Sequence, residues 1–200
     1  MIHIYIVRHG ETEENAAGIL QGHIQGHLSE RGKQQTRELR DRIANSIAPH
    51  HIIASDLQRT IDTAHILNEA FNVEIETTPL LRERDWGTLT GQLIATLPHD
   101  FPSSVESVPQ MMERARHFLL QLLNRYAGES LTLLVVSHGV FSRCLQAAAN
   151  GKLIGEVPHM NNGEMRHIVL TNETEEKLLH PAQQEPEEDN TDSLKKGKES

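Results

Sequence analysis

Apolar positions along this chain follow two rhythms, one of period two and one close to 3.6. Alternating or continuous apolar runs occur at residues 2–7, 52–54, 73–77, 131–136 and 165–170. Such runs predict strands buried on one or both faces. Residues 131–136 are nearly continuous, the pattern of a central strand covered on both sides. Helical spacing fills the gaps. Leu28, Leu39, Ile43 and Ile47 suit a helix over 30–47 with Ser29 as N-cap. Leu57, Ile61, Ala64 and Leu67 share a helix face, with Ser55 or Asp56 as the expected cap. Met111, Ala115, Phe118, Leu119, Leu122 and Tyr126 mark the most amphipathic segment, and 140–149 also reads as helical. Residues 79–109 hold Pro79, Pro98, Pro102 and Pro109 and are expected to be irregular.

Strands alternating with helices predict an α/β domain, a three-layer α/β/α sandwich over residues 1–172 with a small irregular cap at about 85–110. From Glu173 onward the pattern vanishes. Residues 173–200 carry nine acidic and four basic side chains, so −5 of the net −9 lies there. That stretch reads as an acidic, disordered or loosely attached tail. The other −4 lies on the body, which leaves no basic surface for nucleic acid. No apolar run approaches the roughly 20 residues that span a bilayer. The N-terminus shows no secretory pattern, and the single cysteine, Cys144, has no disulfide partner within the chain. A cytoplasmic setting is the expectation.

Candidate chemistry sits where the strands end. The run 2–7 ends in Arg8-His9-Gly10, and the run 131–136 ends in Ser137-His138-Gly139. Arg59 falls in the first turn of the helix after 52–54. In α/β sheets ligands bind at the carboxyl ends of strands, and helix N-termini favour anions. Three strand ends can thus deliver cations to one anion, with an imidazole as a potential nucleophile. No His-Glu-x-x-His or Cys-x-x-Cys spacing occurs, so neither a metal nor another cofactor is expected. His3, His50, His51, His65, His117, His167 and His180 are expected at the surface. Trp86 and the Met111-Met112 pair are expected in packing, and Cys144 as an inert buried thiol.

These blocks carry a likeness. Arg8-His9-Gly10-Glu11-Thr12 with Asn15, Leu20-Gln21-Gly22-His23, Leu28-Ser29-Glu30-Arg31-Gly32, Ser55-Asp56-Leu57-Gln58-Arg59-Thr60, Leu81-Arg82-Glu83-Arg84-Asp85-Trp86-Gly87, Glu106-Ser107 and Ser137-His138-Gly139 occur in order. Over about residues 1–171 the chain resembles the histidine phosphatase superfamily, the phosphoglycerate-mutase-like proteins. The resemblance implies a mixed, mostly parallel six-stranded sheet whose last strand is antiparallel. It implies that His9 attacks phosphorus and becomes a phosphohistidine. Arg8, Arg59 and His138 then bind the phosphoryl oxygens, and Glu83 serves the leaving oxygen as acid and water as base. Asn15 assists, while Gln21, Gly22 and Gly139 contribute to substrate binding. Glu11 is the alternative acid. The attacking imidazole must be neutral, its other nitrogen donating to a backbone carbonyl near Gly10. His138 is expected as the imidazolium.

The family holds phosphatases and mutases. Mutases of this type carry Asn after the second His-Gly, where this chain has Val140, and a longer insertion than the one between Glu83 and Glu106. No Lys or Arg occurs between Arg84 and Arg114, so the cap supplies no cation for a second anionic group. The expectation is a metal-independent phosphomonoesterase acting on small phosphate monoesters, as a monomer or homodimer. A cofactor-dependent phosphoglycerate mutase and a catalytically silent phosphate-binding scaffold are the alternatives.

Overall fold

The computed structural model describes residues 1–181. Five strands form one sheet: β1 (Ile2–Arg8), β2 (His51–Ser55), β3 (Glu74–Thr78), β4 (Leu131–Ser137) and β5 (Met165–Leu170). Their order is β3-β2-β4-β1-β5, parallel throughout except for β5, which runs antiparallel to β1. The helices are α1 (Glu13–Ala17), α2 (Glu30–Ile43), α3 (Gln58–Asn68), α4 (Val108–Arg125), α5 (Gly139–Asn150) and α6 (Asn172–Leu179).

The alternation of β4 explains the layers. Leu131, Leu133 and Val135 join Ile2, Ile4 and Ile6 of β1 against α4, α5 and α6. Leu134 and Val136 face the other way, against Leu39 and Ile43 of α2 and Ala64 and Leu67 of α3. Every one of these residues is buried, so a strand covered on both faces reads as a continuous apolar run.

The expected α/β sandwich is present, with corrections to its parts. The sheet has five strands, not six. The sixth was implied by the resemblance, and the pattern shows only five runs. The proline-rich stretch instead folds as 3₁₀ turns at Pro79–Leu81, Gly87–Leu89 and Ile94–Thr96. Pro109 is no breaker. It lies in the first turn of α4, where its missing N–H would have had no helical partner, and Ser107 and Gln110 form a capping box there. The N-cap of α3 is Leu57, without a side-chain cap. Ser55 Oγ accepts from the Leu57 N–H instead (3.3 Å), and Asp56 is taken by Arg82. Finally, the domain does not end at 172. Thr171 caps α6, whose Leu178 is only 2 % exposed and joins the core beside α4 and α5. The rest of the expected tail, 182–200, lies outside the described residues.

Sheet register positions the chemistry. Arg8 pairs with Ser137, and the His9 N–H donates to the Ser137 carbonyl at 3.1 Å. His9 and His138 therefore leave the sheet side by side at its carboxyl edge. α2 packs hard against the loop that follows. A Cβ on Gly10 would lie 2.4 Å from the Gly32 carbonyl oxygen, and one on Gly32 would lie 1.9 Å from that of Glu11. Both positions admit only glycine.

Candidate active site

His9 lies at the end of β1, buried. Its Nδ1 sits 2.7 Å from the Gly10 carbonyl oxygen, which can only accept, so Nδ1 carries the proton. That leaves Nε2 as the unprotonated, accepting nitrogen of the ring. Burial, then Arg59 and Arg8, hold the ring's pKa well below the ordinary histidine range, so it is neutral at pH 7. The expected tautomer and its backbone acceptor are both found.

Arg59, 1 % exposed, is the hub. Its Nε donates to His9 Nε2 (3.3 Å) and to His138 Nδ1 (3.2 Å). One terminal nitrogen donates to the Gly22 carbonyl (2.8 Å), and the other to Ile24 and Gln25. Desolvation lowers its pKa to about 10, which leaves it charged at neutral pH. Arg59 thus fixes both imidazoles and the 22–25 loop at once.

His138 stands as the N-cap of α5, its ring 5.2 Å from that of His9 and edge-on to it. Burial, followed by Arg59, His9 and Arg8, holds its pKa well below the usual value. The imidazolium expected from the sequence is therefore not what this environment favours: Nδ1 accepts from Arg59, so the proton lies on Nε2. Both His138 Nε2 and Arg8 Nε are buried donors with no hydrogen-bond partner among the described residues. Buried donors are rarely left so, and two together fit an anionic oxygen acceptor. Arg8 also donates to the Met160 carbonyl at 2.5 Å. A Cβ on Gly139 would press within 3.1 Å of the Arg8 guanidinium, so glycine there leaves that cation its place.

Glu83 reaches the same cavity from the segment after β3. Its carboxylate accepts from the N–H groups of Arg84 (2.9 Å), Val140 (3.2 Å) and Phe141 (3.1 Å), the last two in the first turn of α5. Glu11 is elsewhere: it accepts from Ser29 Oγ at 2.9 Å and pairs with Arg31, outside the cavity. Arg8, His9, Asn15, Gln21, Gly22, Arg59, Glu83 and Gly139 all line one cavity of about 240 Å³, with His138 buried beside His9 and Arg59. The sequence-expected residues are thus brought together.

Three features escaped the sequence. The loop between α5 and β5 forms one wall through His159, Met160, Asn161 and Asn162. Asn162 Nδ2 donates to the His9 carbonyl (3.1 Å) and to Asn15 Oδ1 (3.3 Å). Asn15 Oδ1 also accepts from the Thr12 N–H at 3.2 Å, closing a capping box on α1. With its oxygen so occupied, Asn15 keeps its NH₂ for the cavity. Arg114 is the second feature. It grips Glu106 with two nitrogens (3.0 and 2.7 Å), donates to the carbonyls of Leu80 and Arg82, and stacks 3.9 Å over Phe141. Those contacts hold the Glu83 segment against α5. Trp86 is the third: it packs with Leu20, Leu89, Leu97 and Val105 as expected of a core residue, yet it also lines the cavity. Only an irregular polar stretch marks the first of these in the sequence, and only the Glu106-Ser107 block points to the second. Cys144 is buried and its pKa is pushed up to about 12, an inert thiol. Among the described residues, no cluster of three or more His, Cys, Asp or Glu could hold a metal ion, and no helix is long and apolar enough to cross a membrane.

Known proteins share this arrangement of chain. A phosphoglycerate mutase GpmB, named as probable, from Proteus mirabilis is 34% identical over 164 residues, 76% of each chain. A metal-independent phosphoserine phosphatase from Arabidopsis thaliana is 33% identical over 173 residues, 76% of this chain and 72% of the other. Among solved structures, a mycobacterial glucosyl-3-phosphoglycerate phosphatase in complex with VO3 superposes with a TM-score of 0.76 at 25% identity, covering 86% of this chain and 93% of that one. The sequence model of the histidine phosphatase superfamily (branch 1) matches residues 4–181, α6 included. With a match of that extent, the chain belongs to the histidine phosphatase superfamily.

Proposed function

We propose that this protein is a metal-independent phosphomonoesterase that hydrolyses small phosphate monoesters through a phosphohistidine at His9. The observation that carries this is the His9 ring itself: it lines the same cavity as Arg8 and Arg59, Nδ1 is committed to the Gly10 carbonyl, and Nε2 is left unprotonated 3.3 Å from Arg59 Nε. Phosphoryl transfer spreads negative charge over the equatorial oxygens of a loose transition state, so positioned cations and donors do most of the work. Arg8, Arg59, the His138 Nε2–H and the Asn15 amide are those donors. His9 Nε2 attacks phosphorus while the ester P–O bond breaks, and the departing oxygen takes a proton from Glu83. A water then yields its proton to the Glu83 carboxylate and its oxygen to phosphorus. The P–N bond breaks and its electron pair returns to Nε2. General acid help of this kind is worth roughly 100- to 10,000-fold. The bound dianion opposes the burial that keeps His138 neutral, and either form of that ring donates from Nε2.

Phosphatase names among the similar proteins support the reading, and the probable mutase name supports the alternative. A mutase must hold a second anionic group, and the cap wall of this cavity offers Trp86 and Ile94 rather than a cation. The deciding assay is release of inorganic phosphate from phenyl phosphate in the presence of EDTA. The expected result is turnover by the natural chain, unaffected by EDTA, and at least a 1,000-fold loss in His9→Ala, by the magnitude found when a catalytic nucleophile is removed. A loss in His9→Ala smaller than that, or inhibition by EDTA reversed by a divalent cation, contradicts the proposal.

A further inference from the structure

We infer that the substrate's alcohol is uncharged and presents an apolar face, so that esters carrying a carboxylate or a second phosphate on that alcohol are turned away. This names the substrate class and rests on the phosphomonoesterase reading above.

The wall beside Glu83 is continuous with a hydrophobic cluster. Leu20, Trp86, Ile94 and Val140 line the cavity and pack in that cluster. Ile19 lines it too and is bridged to Leu93, a leucine left 49 % exposed next to Ile94. Apolar surface thus runs from the phosphate end of the cavity to beyond its mouth. The wall formed by residues 159–162 is polar but uncharged. Asn161 and Asn162 carry amides, and His159 is held below its ordinary pKa by burial, then by Arg143, Arg8 and Arg166.

The charged residues lining the cavity are Arg8, Arg59 and Glu83. Neither arginine is spare for a second anion. Arg59 spends its Nε on the two imidazoles and most of its terminal N–H groups on Gly22, Ile24 and Gln25, Arg8 is tied to Met160, and the donors left on both are those that the phosphoryl group takes in the reading above. The further charges felt by these two cations are carboxylates: Glu83 and Glu14 at Arg59, Glu83 and Glu164 at Arg8. A carboxylate on the alcohol would lose water against Trp86 and Ile94 and gain no cation, an unfavourable exchange. An apolar body would gain from the same burial.

The experiment compares benzyl phosphate with 4-carboxybenzyl phosphate, using the full chain. The two alcohols leave with similar ease, so the ratio of kcat/KM reports the walls rather than the chemistry. At least a 10-fold preference for benzyl phosphate is expected. Ile94→Lys, on a partly exposed turn, should shrink that ratio at least threefold by raising turnover of the carboxylated ester. Equal rates in the natural chain, or a preference for the carboxylated ester, overturn the inferred class and leave the phosphatase reading standing. Release of phosphate from neither ester and from no aryl phosphate removes the phosphatase reading, and the class with it.

Discussion

At the level of single side chains, the site works because each polar atom has been given one task. His9 Nδ1 is fixed on Gly10, Arg59 Nε lies between two imidazoles, and Asn15 Oδ1 accepts from both Thr12 and Asn162. Sequence order reveals the types of these residues but not their partners. Arg8, His9, Arg59 and His138 were legible because each follows a strand or opens a helix. Asn162 was not, since a lone Asn in an irregular polar loop carries no pattern. Its double donation makes a sharp expectation. Asn162→Ala should lower kcat for phenyl phosphate by roughly 10-fold, the scale of about 1.4 kcal/mol for one lost neutral hydrogen bond. Asn162→Asp, which keeps the shape but not the donor, should not rescue it. Steady-state kinetics on variants with unchanged circular dichroism would check this, and full activity in Asn162→Ala would refute the role.

Elements were legible where apolar rhythm was long. β1, β4 and β5 match their apolar runs within a residue or two, and α4 follows its stripe. Short polar-rich elements were lost: α1 has no buried residue, and its only signals are the Thr12 cap and the Asn15 that closes it. α6 reads as tail in the sequence because its eight residues hold three glutamates and only two apolar side chains, too few for a helical stripe. Its buried positions are Thr174 and Leu178. A test follows from that burial. Leu178→Ala should destabilise the fold by about 2–5 kcal/mol, the usual range for a buried leucine. Urea unfolding would measure it, and a change under 0.5 kcal/mol would mean that α6 does not dock. The cap failed to be read for another reason. Its 3₁₀ turns are set by tertiary contacts, such as Arg84 stacked 4.6 Å over Trp86 and 5.1 Å from Phe101, not by local period.

For the molecule as a whole, the sheet brings distant chain together and then buries it. Residues 9, 59, 83 and 138 meet because β1 and β4 are neighbours and α3 and α5 begin at the same edge. Burying two neutral imidazoles makes stability depend on pH. In the folded state His9 and His138 have depressed pKa values, whereas in the unfolded chain they titrate near 6.5. Below about pH 6.5 the unfolded chain therefore binds protons that the fold refuses, so stability falls as pH drops from 7 toward 5. Thermal melts should show that decline, and a His9→Asn/His138→Asn chain should show a shallower one. Parallel profiles would mean that the two rings are not buried as neutral groups. The proposed chemistry comes down to one atom, His9 Nε2. Acid-free quenching during turnover, followed by mass spectrometry and phosphorus NMR, would locate the trapped phosphoryl group. The result in keeping with this structure is a single phosphohistidine at His9, substituted on Nε2. A phosphoryl group on Nδ1, on another residue, or on none while phosphate is still being released would contradict it.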